Sequence, residues 1–288
     1  MNSLMIKRRR TSDKIWLVMI YFSAAFSVML LAGIIGYVLF KGVKSVNWEF
    51  LTTVTSTLKG TVGIAGNIVN TLYIIVITLL IAVPVGIGSA IYLNEYAKPG
   101  RFVRIIEFTT ETLSGIPSII FGLFGMIFFG NTLHLGYSIL TGSLTLALMI
   151  FPLITRNTQE ALKTVPDSYR SGALGIGATK WYMIRTVLLP SAMPGIITGV
   201  ILSIGRIVGE SAALLFTAGS GFLLPKAGGL LDKVMESGGT LTIQLYLSMS
   251  KAQYNVAFGI AVVLLVIVLL INLLTKYLAK KFDVSKIN

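Results

Sequence analysis

The stretch Arg156-Asn157-Thr158-Gln159-Glu160-Ala161-Leu162-Lys163-Thr164-Val165-Pro166-Asp167-Ser168-Tyr169-Arg170-Ser171-Gly172-Ala173-Leu174-Gly175-Ile176-Gly177-Ala178-Thr179-Lys180-Trp181, closing at Val187-Leu188-Leu189-Pro190, is a long charged interruption between apolar segments. Its surroundings set its meaning. Of 288 residues, 55% are hydrophobic and 12% charged, where a soluble domain carries about 25% charged residues. Mean hydropathy is +0.84. The chain reads as an integral membrane protein, and 156–195 reads as a piece that lives outside the lipid.

Read locally, Pro166-Asp167 is a turn followed by a helix start, with Asp167 placed to cap free N–H groups. A short helix over 168–174 follows, and Gly175 and Gly177 break it. Thr179 caps a second helix over 180–188. In it Trp181, Ile184, Val187 and Leu188 recur at helical spacing and form one apolar face. Leu189-Pro190 is expected to end this helix, and Pro194-Gly195 to open the next apolar span. The result is a helix–turn–helix knob with an apolar stripe and basic rims. Such a knob suits a lipid surface or a groove on a soluble partner.

Working outward, six apolar runs are long enough for a membrane helix, which needs about 20 residues to cross a hydrocarbon core of ~30 Å. They lie near 15–40, 67–93, 108–130, 137–155, 195–218 and 254–279. The first follows the basic head 1–14 but is too long for a signal h-region of about 7–15 residues, so an uncleaved anchor is expected. Six spans put both termini on one side. With that side inside, seventeen of the 24 basic residues fall on inner segments and six on outer loops, Arg206 lying within a span. Lys and Arg concentrate on cytoplasmic loops. This places 156–195, the N-terminus and the tail 283–288 in the cytoplasm. The same asymmetry accounts for the net charge of +13 without invoking nucleic acid.

Prolines 84, 117 and 152 fall inside spans and are expected to bend them. Gly195/Gly199 and Gly205/Gly209 recur at four-residue spacing and invite close helix approach. Two outer loops are sizeable, 41–66 and 219–253; within the second, 240–246 reads as a short extended or re-entrant piece. Glu95, Glu107 and Glu111, balanced by Lys98, Arg101 and Arg104, read as a solvated strip. His134 falls in a short outer loop and reads as a surface residue.

Several chemistries have no residues to support them. The chain has no cysteine and one histidine, which excludes thiolate chemistry and a His-based metal cluster. It contains no Gly-x-x-x-x-Gly-Lys-Ser/Thr loop to cradle ATP phosphates. No cofactor is expected on this chain, and it is not expected to be an enzyme by itself.

Within the fifth span stand Arg206 and Glu210. Arg206 lies 12 residues past Pro194, roughly 18 Å along a helix and near mid-bilayer. A charge there costs at least ~2.5–3.5 kcal/mol on insertion scales. Two readings stand side by side: a self-neutralising pair four residues apart, or an arginine facing a pathway, whose planar donors match the oxygens of an oxyanion. In the second reading Glu210 keeps anion binding weak enough for release.

The stretch 171–190 is similar to the coupling loop of ABC importer permeases, Glu-Ala-Ala, three residues, Gly, nine residues, Ile, one residue, Leu-Pro. Ser171-Gly172-Ala173 occupies the triplet, Gly177 the glycine position, Val187 the isoleucine position and Leu189-Pro190 the close. Ser171, Gly172 and Val187 depart from the pattern, and Ser171 removes a charge expected at the ATPase contact. The blocks at 162–170, 177–181, 114–122 and 209–219 resemble the phosphate branch of these permeases, and within it the A-type subunit, over about 15–282. The resemblance implies an all-α membrane protein of type I ABC importer permease architecture, with six transmembrane helices and a cytoplasmic coupling loop at 156–194. It implies a C-type permease partner, a dimer of ATPase subunits that binds ATP and Mg, an external phosphate-binding protein, and inorganic phosphate as substrate. It also makes Ser171, Gly172, Ala173, Gly177, Trp181, Ile184, Val187, Leu189 and Pro190 the ATPase-coupling residues, with Arg206 and Glu210 on the substrate pathway. A permease for another oxyanion such as molybdate or sulfate, or a stand-alone secondary transporter, are the alternative readings.

Overall fold

The computed structural model describes residues 11–56, 61–98, 100–224 and 229–281. The basic head with Lys7, Arg8, Arg9 and Arg10, the tail 283–288, Lys59 and Lys226 lie outside the described residues.

The first apolar run is one helix, α1 (Thr11–Gly42), of 32 residues. A 3-10 turn at Val43–Ser45, the short helix α2 (Trp48–Thr52) and an antiparallel hairpin of β1 (Val54–Ser56) and β2 (Thr61–Ile64) follow. The expected loop 41–66 therefore holds structure of its own. Next come α3 (Ala65–Ile91), which closes in a π turn at Tyr92–Tyr96, then α4 (Arg101–Gly115) and α5 (Ser118–Gly125), extended by a π segment at Met126–Thr132. Helix α6 (Ile139–Lys163) leads to α7 (Asp167–Gly175) and α8 (Lys180–Met183). A π turn at Ile184–Leu188 joins α8 to α9 (Leu189–Gly209). The chain ends with α10 (Ala212–Thr217), α11 (Leu230–Val234), α12 (Leu241–Ser250) and α13 (Tyr254–Lys281).

Five helices among the described residues are long and apolar enough to cross a membrane, and a sixth span exists if the bent pair α4 and α5 counts as one. The span near 108–130, expected to bend at Pro117, breaks more sharply than a bend: the chain turns by 101° between α4 and α5. Pro117 has no N–H to continue the helical ladder, and Ile116 is extended at φ −72° and ψ 132°. Composition adds to the break. Helix α4 carries Arg101, Arg104, Glu107 and Glu111 and buries no residue. The 15 residues of Ser118–Thr132 reach about 22 Å, less than a ~30 Å core. Pro84 and Pro152 do lie inside α3 and α6, as does Pro194 in α9.

A second correction concerns Leu189-Pro190. This pair does not end the helix of the knob: Lys180–Gly209 runs on as one span of 30 residues. Pro190 cannot donate to the carbonyl four residues back. The wider π turn at Ile184–Leu188 absorbs the mismatch, as such turns do within helices. The Ser191 hydroxyl donates to the Val187 carbonyl at 2.7 Å, across the turn that contains Pro190. Third, 240–246 is helical rather than extended, because the Thr240 side chain caps α12 by accepting from the Ile243 N–H.

The bundle is organised by α3 against α6 and α6 against α9. Ile74, Leu146, Ile150, Ile154, Ile204 and Ile207 form its buried core. Lipid tails are as apolar as these side chains, so close fit rather than escape from water holds such helices together. Gly195 and Gly199 supply that fit. A Cβ at either would come within 2.6 Å of the Ala161 Cβ or 2.7 Å of the Asn157 Cβ on α6. Gly205 and Gly209 would meet nothing within 4 Å; they line a cavity with Ile34, Ile35 and Val38 of α1 and Leu264 and Val268 of α13. At the N-terminal end of α3 the buried Asn67 and Asn70 amides donate to the carbonyls of Gly239 and Gly221, each at 2.9 Å. These bonds tie Gly221 and Gly239 to α3.

Candidate coupling knob and membrane arginine

The knob forms at its expected punctuation, but Asp167 does not cap α7: no described side chain caps that helix, and the Asp167 carboxylate accepts from Arg170 Nη1 at 3.0 Å. Pro166 precedes α7, and the Thr179 hydroxyl oxygen caps α8 by accepting from the Tyr182 N–H at 3.3 Å. Between them Gly177 takes φ +86°, a left-handed conformation that a residue with a Cβ adopts at a cost of about 1–2 kcal/mol. The Gly177 N–H donates to the Leu174 carbonyl at 3.0 Å. Ser171 is exposed, and its hydroxyl donates back to the carbonyls of Asp167 and Ser168 at 3.1 and 3.3 Å. Gly172 is exposed, and Ala173 packs half-buried on the knob's base.

The apolar face divides. Ile184 and Leu188 are fully buried, packed with Leu162, Val165, Met183 and Ala192 at the base of the knob. Val187, Leu189 and Pro190 are half-buried. Trp181 points outward at 58% exposure, beside Tyr182 at 60%. The π turn changes the register between Trp181 and the residues after it, so the single face read from spacing becomes an inner and an outer one. The outer face gains residues that spacing did not single out: Ile176, 88% exposed, with Tyr169 and Leu174. Ile176 sits between the two glycines, where helical periodicity has no meaning.

Glu95 also departs from expectation. Its side chain is 6% exposed rather than solvated, and its Oε1 lies 3.0 Å from Nη2 of Arg170. Glu111 does lie on the surface, paired with Arg156 at 2.9 Å. Their positions follow from tertiary packing: Glu95 stands in the π turn after α3, directly beneath α7.

Arg206 lies on the open side of α9. The residues that α9 leaves uncovered, Ser191, Pro194, Thr198, Leu202, Gly205, Arg206 and Gly209, follow one another at helical spacing. They make a continuous stripe of mostly small or polar side chains. Glu210 is not on that helix. It follows the last residue of α9 with ψ 122°, and its carboxylate accepts from the Ala213 N–H at 3.0 Å, capping α10. The Thr242 hydroxyl holds the Glu210 carbonyl at 3.0 Å. No ion pair joins Arg206 to Glu210 among the described residues, so the pairing four residues apart is corrected. No group of three His, Asp or Glu side chains comes together as a metal site among the described residues, and His134 is exposed.

The architecture is thus an apolar helical bundle with a protruding knob and an uncovered arginine on one of its long apolar helices. The chain belongs to the family described as binding-protein-dependent transport system inner membrane component, which matches residues 82–284. It is therefore an ABC transporter permease subunit and a multi-pass protein of the membrane. It is 39% identical to the probable ABC transporter permease protein YqgI of Bacillus subtilis over 73% of this chain and 72% of that one. It is 32% identical to the phosphate transport system permease protein PstA of Haemophilus influenzae over 73% and 74%, and resembles the PstA type. Among solved structures, a bacterial alginate ABC transporter superposes over 95% of this chain and 96% of that one, with a TM-score of 0.71 at 15% identity. The MetNI methionine ABC transporter superposes over 76% and 94%, with a TM-score of 0.57 at 20% identity. These two likenesses establish the all-α importer fold.

Proposed function

We propose that this chain is one of two permease subunits of an ATP-driven importer of inorganic phosphate. A C-type permease covers the open stripe of α9, a dimer of separate ATPase chains grips the knob, and an external binding protein delivers the anion. The observation that carries this reading is Arg206. It stands uncovered on a membrane helix, without an ionic partner among the described residues. An arginine left facing lipid costs at least ~2.5–3.5 kcal/mol, so the reading places it toward water and a second subunit. There it serves as a fixed cation whose paired donors suit phosphate oxygens. The PstA relatives support phosphate over other oxyanions. Glu210, just past the end of α9, limits on this reading how tightly the anion is held.

On the knob, Ile176, Trp181 and Tyr182, together with Tyr169 and Leu174, are the side chains left free to enter a groove on the ATPase. ATP and Mg belong to that partner. The excess of basic residues on one set of segments supports a cytoplasmic knob and cytoplasmic termini.

The substrate is tested by ATP hydrolysis of the reconstituted complex with its binding protein loaded in turn with phosphate, sulfate or molybdate. Stimulation by phosphate alone is expected. Equal or greater stimulation by another oxyanion would reassign the substrate, and uptake by this chain without any ATPase would remove the importer reading.

A further inference from the structure

One guanidinium gathers three separate parts of the chain. Arg170 donates from Nε and Nη2 to the Glu95 carboxylate at 3.2 and 3.0 Å, at the exit of α3. It donates from Nη2 to the Leu162 carbonyl and from Nη1 to the Val165 carbonyl, each at 2.9 Å, at the end of α6. Nη1 also meets the Asp167 carboxylate at 3.0 Å, at the start of α7. The Glu95 carboxylate is further fixed by the Asn94 amide at 2.7 Å. Its backbone carbonyl accepts from Lys180 Nζ, and that ammonium lies 4.9 Å from the centre of the Tyr96 ring. The two residues Glu95 and Tyr96 therefore hold both arms of the knob, α7 through Arg170 and α8 through Lys180.

The two arms differ in what else holds them. Helix α8 continues into the membrane as α9 and is anchored by the buried Met183, Ile184 and Leu188. Helix α7 buries no residue. Arg170 ties it to the end of α6 through the Leu162 and Val165 carbonyls, and to the exit of α3 through the Arg170–Glu95 pair. Apolar contact resists separation but is non-directional, whereas paired charged hydrogen bonds fix an orientation. At 6% and 19% exposure the two side chains are also shielded from most solvent screening.

We propose that Glu95 and Arg170 are positioning residues of the coupling step: they lock α7 to the end of α3, so that displacement of the knob becomes displacement of a membrane helix. The proposal rests on the importer reading above. Without the lock, α7 moves with its ATPase partner while α3 stays behind, and hydrolysis runs without transport.

The test is Glu95→Gln in the complete complex in proteoliposomes; the change keeps the size of the side chain and removes its charge. The ATP hydrolysed per phosphate imported is expected to rise about tenfold, the scale set by losing a charged hydrogen bond, while the ATPase still co-purifies. A parallel fall of hydrolysis and uptake, or no change in their ratio, would overturn the proposal. A second arm measures amide exchange in the detergent-solubilised complex. Exchange over 167–175 is expected to quicken about tenfold in the variant, with that of 195–209 unchanged; unaltered exchange over 167–175 would also overturn it. If the wild-type complex imports no phosphate, the importer reading fails by itself, and the exchange arm still decides whether the pair locks α7.

Discussion

Gly177 and Arg206 mark how differently single residues can be read. The left-handed turn at Gly177 follows from local chemistry: a glycine just past a short helix, before a capping threonine, is the ordinary way to reverse direction. Gly177→Ala is expected to destabilise the turn by about 1–2 kcal/mol, measured as faster protease cleavage between α7 and α8 with the remaining bundle intact. Cleavage at the wild-type rate would mean that the turn tolerates a Cβ. Arg206 was legible as a buried-depth charge, and it does sit on α9. Its expected pairing with Glu210 was not realised, because the helix stops at Gly209. That stop is held by one distant contact, the Thr242 hydroxyl on the Glu210 carbonyl, and one local contact, the Glu210 carboxylate on the Ala213 N–H. Glu95 was misread for the same reason: its partner is 75 residues away in sequence, and no spacing rule reaches that far.

At the scale of elements, periodicity located the helices and failed where the backbone leaves the α-helical register. The π turn before Pro190 let a helix continue where Leu-Pro signalled its end, and it divided one apolar stripe into two faces. The division makes a paired prediction. Ile184→Ala, in the buried base, is expected to cost about 2–5 kcal/mol through its cavity, seen as a lower Tm of the purified complex. Ile176→Asp, on the exposed tip, is expected to leave Tm unchanged within measurement, since surface changes usually stay within about ±0.5 kcal/mol, and to weaken ATPase co-purification. The reverse assignment of effects would mean that the inner and outer faces have been exchanged. The break at Pro117 has a similar lesson. The proline was seen, but the charges of α4 and the short reach of α5 decided that it separates two helices instead of bending one.

For the whole molecule, the class was carried by composition and the family by the spacing of 171–190; both agree with the fold and with the family match over 82–284. What neither supplied is the interior geometry of the outer segments, the hairpin at 54–64 and the helices of 219–253, whose form depends on packing against α3 and α13. On the proposed reading the chain is one part of a pore. Helix α9 carries Arg206 exposed on its surface, and the knob presents apolar side chains that no other described residue covers. In the proposed assembly other subunits complete both surfaces, and the charge on α9 draws the anion.

Phosphate uptake into proteoliposomes containing the full complex, with wild-type chain or with Arg206→Gln, tests that claim most directly. Removing the guanidinium is expected to lower uptake at least about a hundredfold, the loss of two charged hydrogen bonds to the anion, with the permease pair and its ATPase still assembled. Uptake at the wild-type rate by the assembled Arg206→Gln complex would contradict the account.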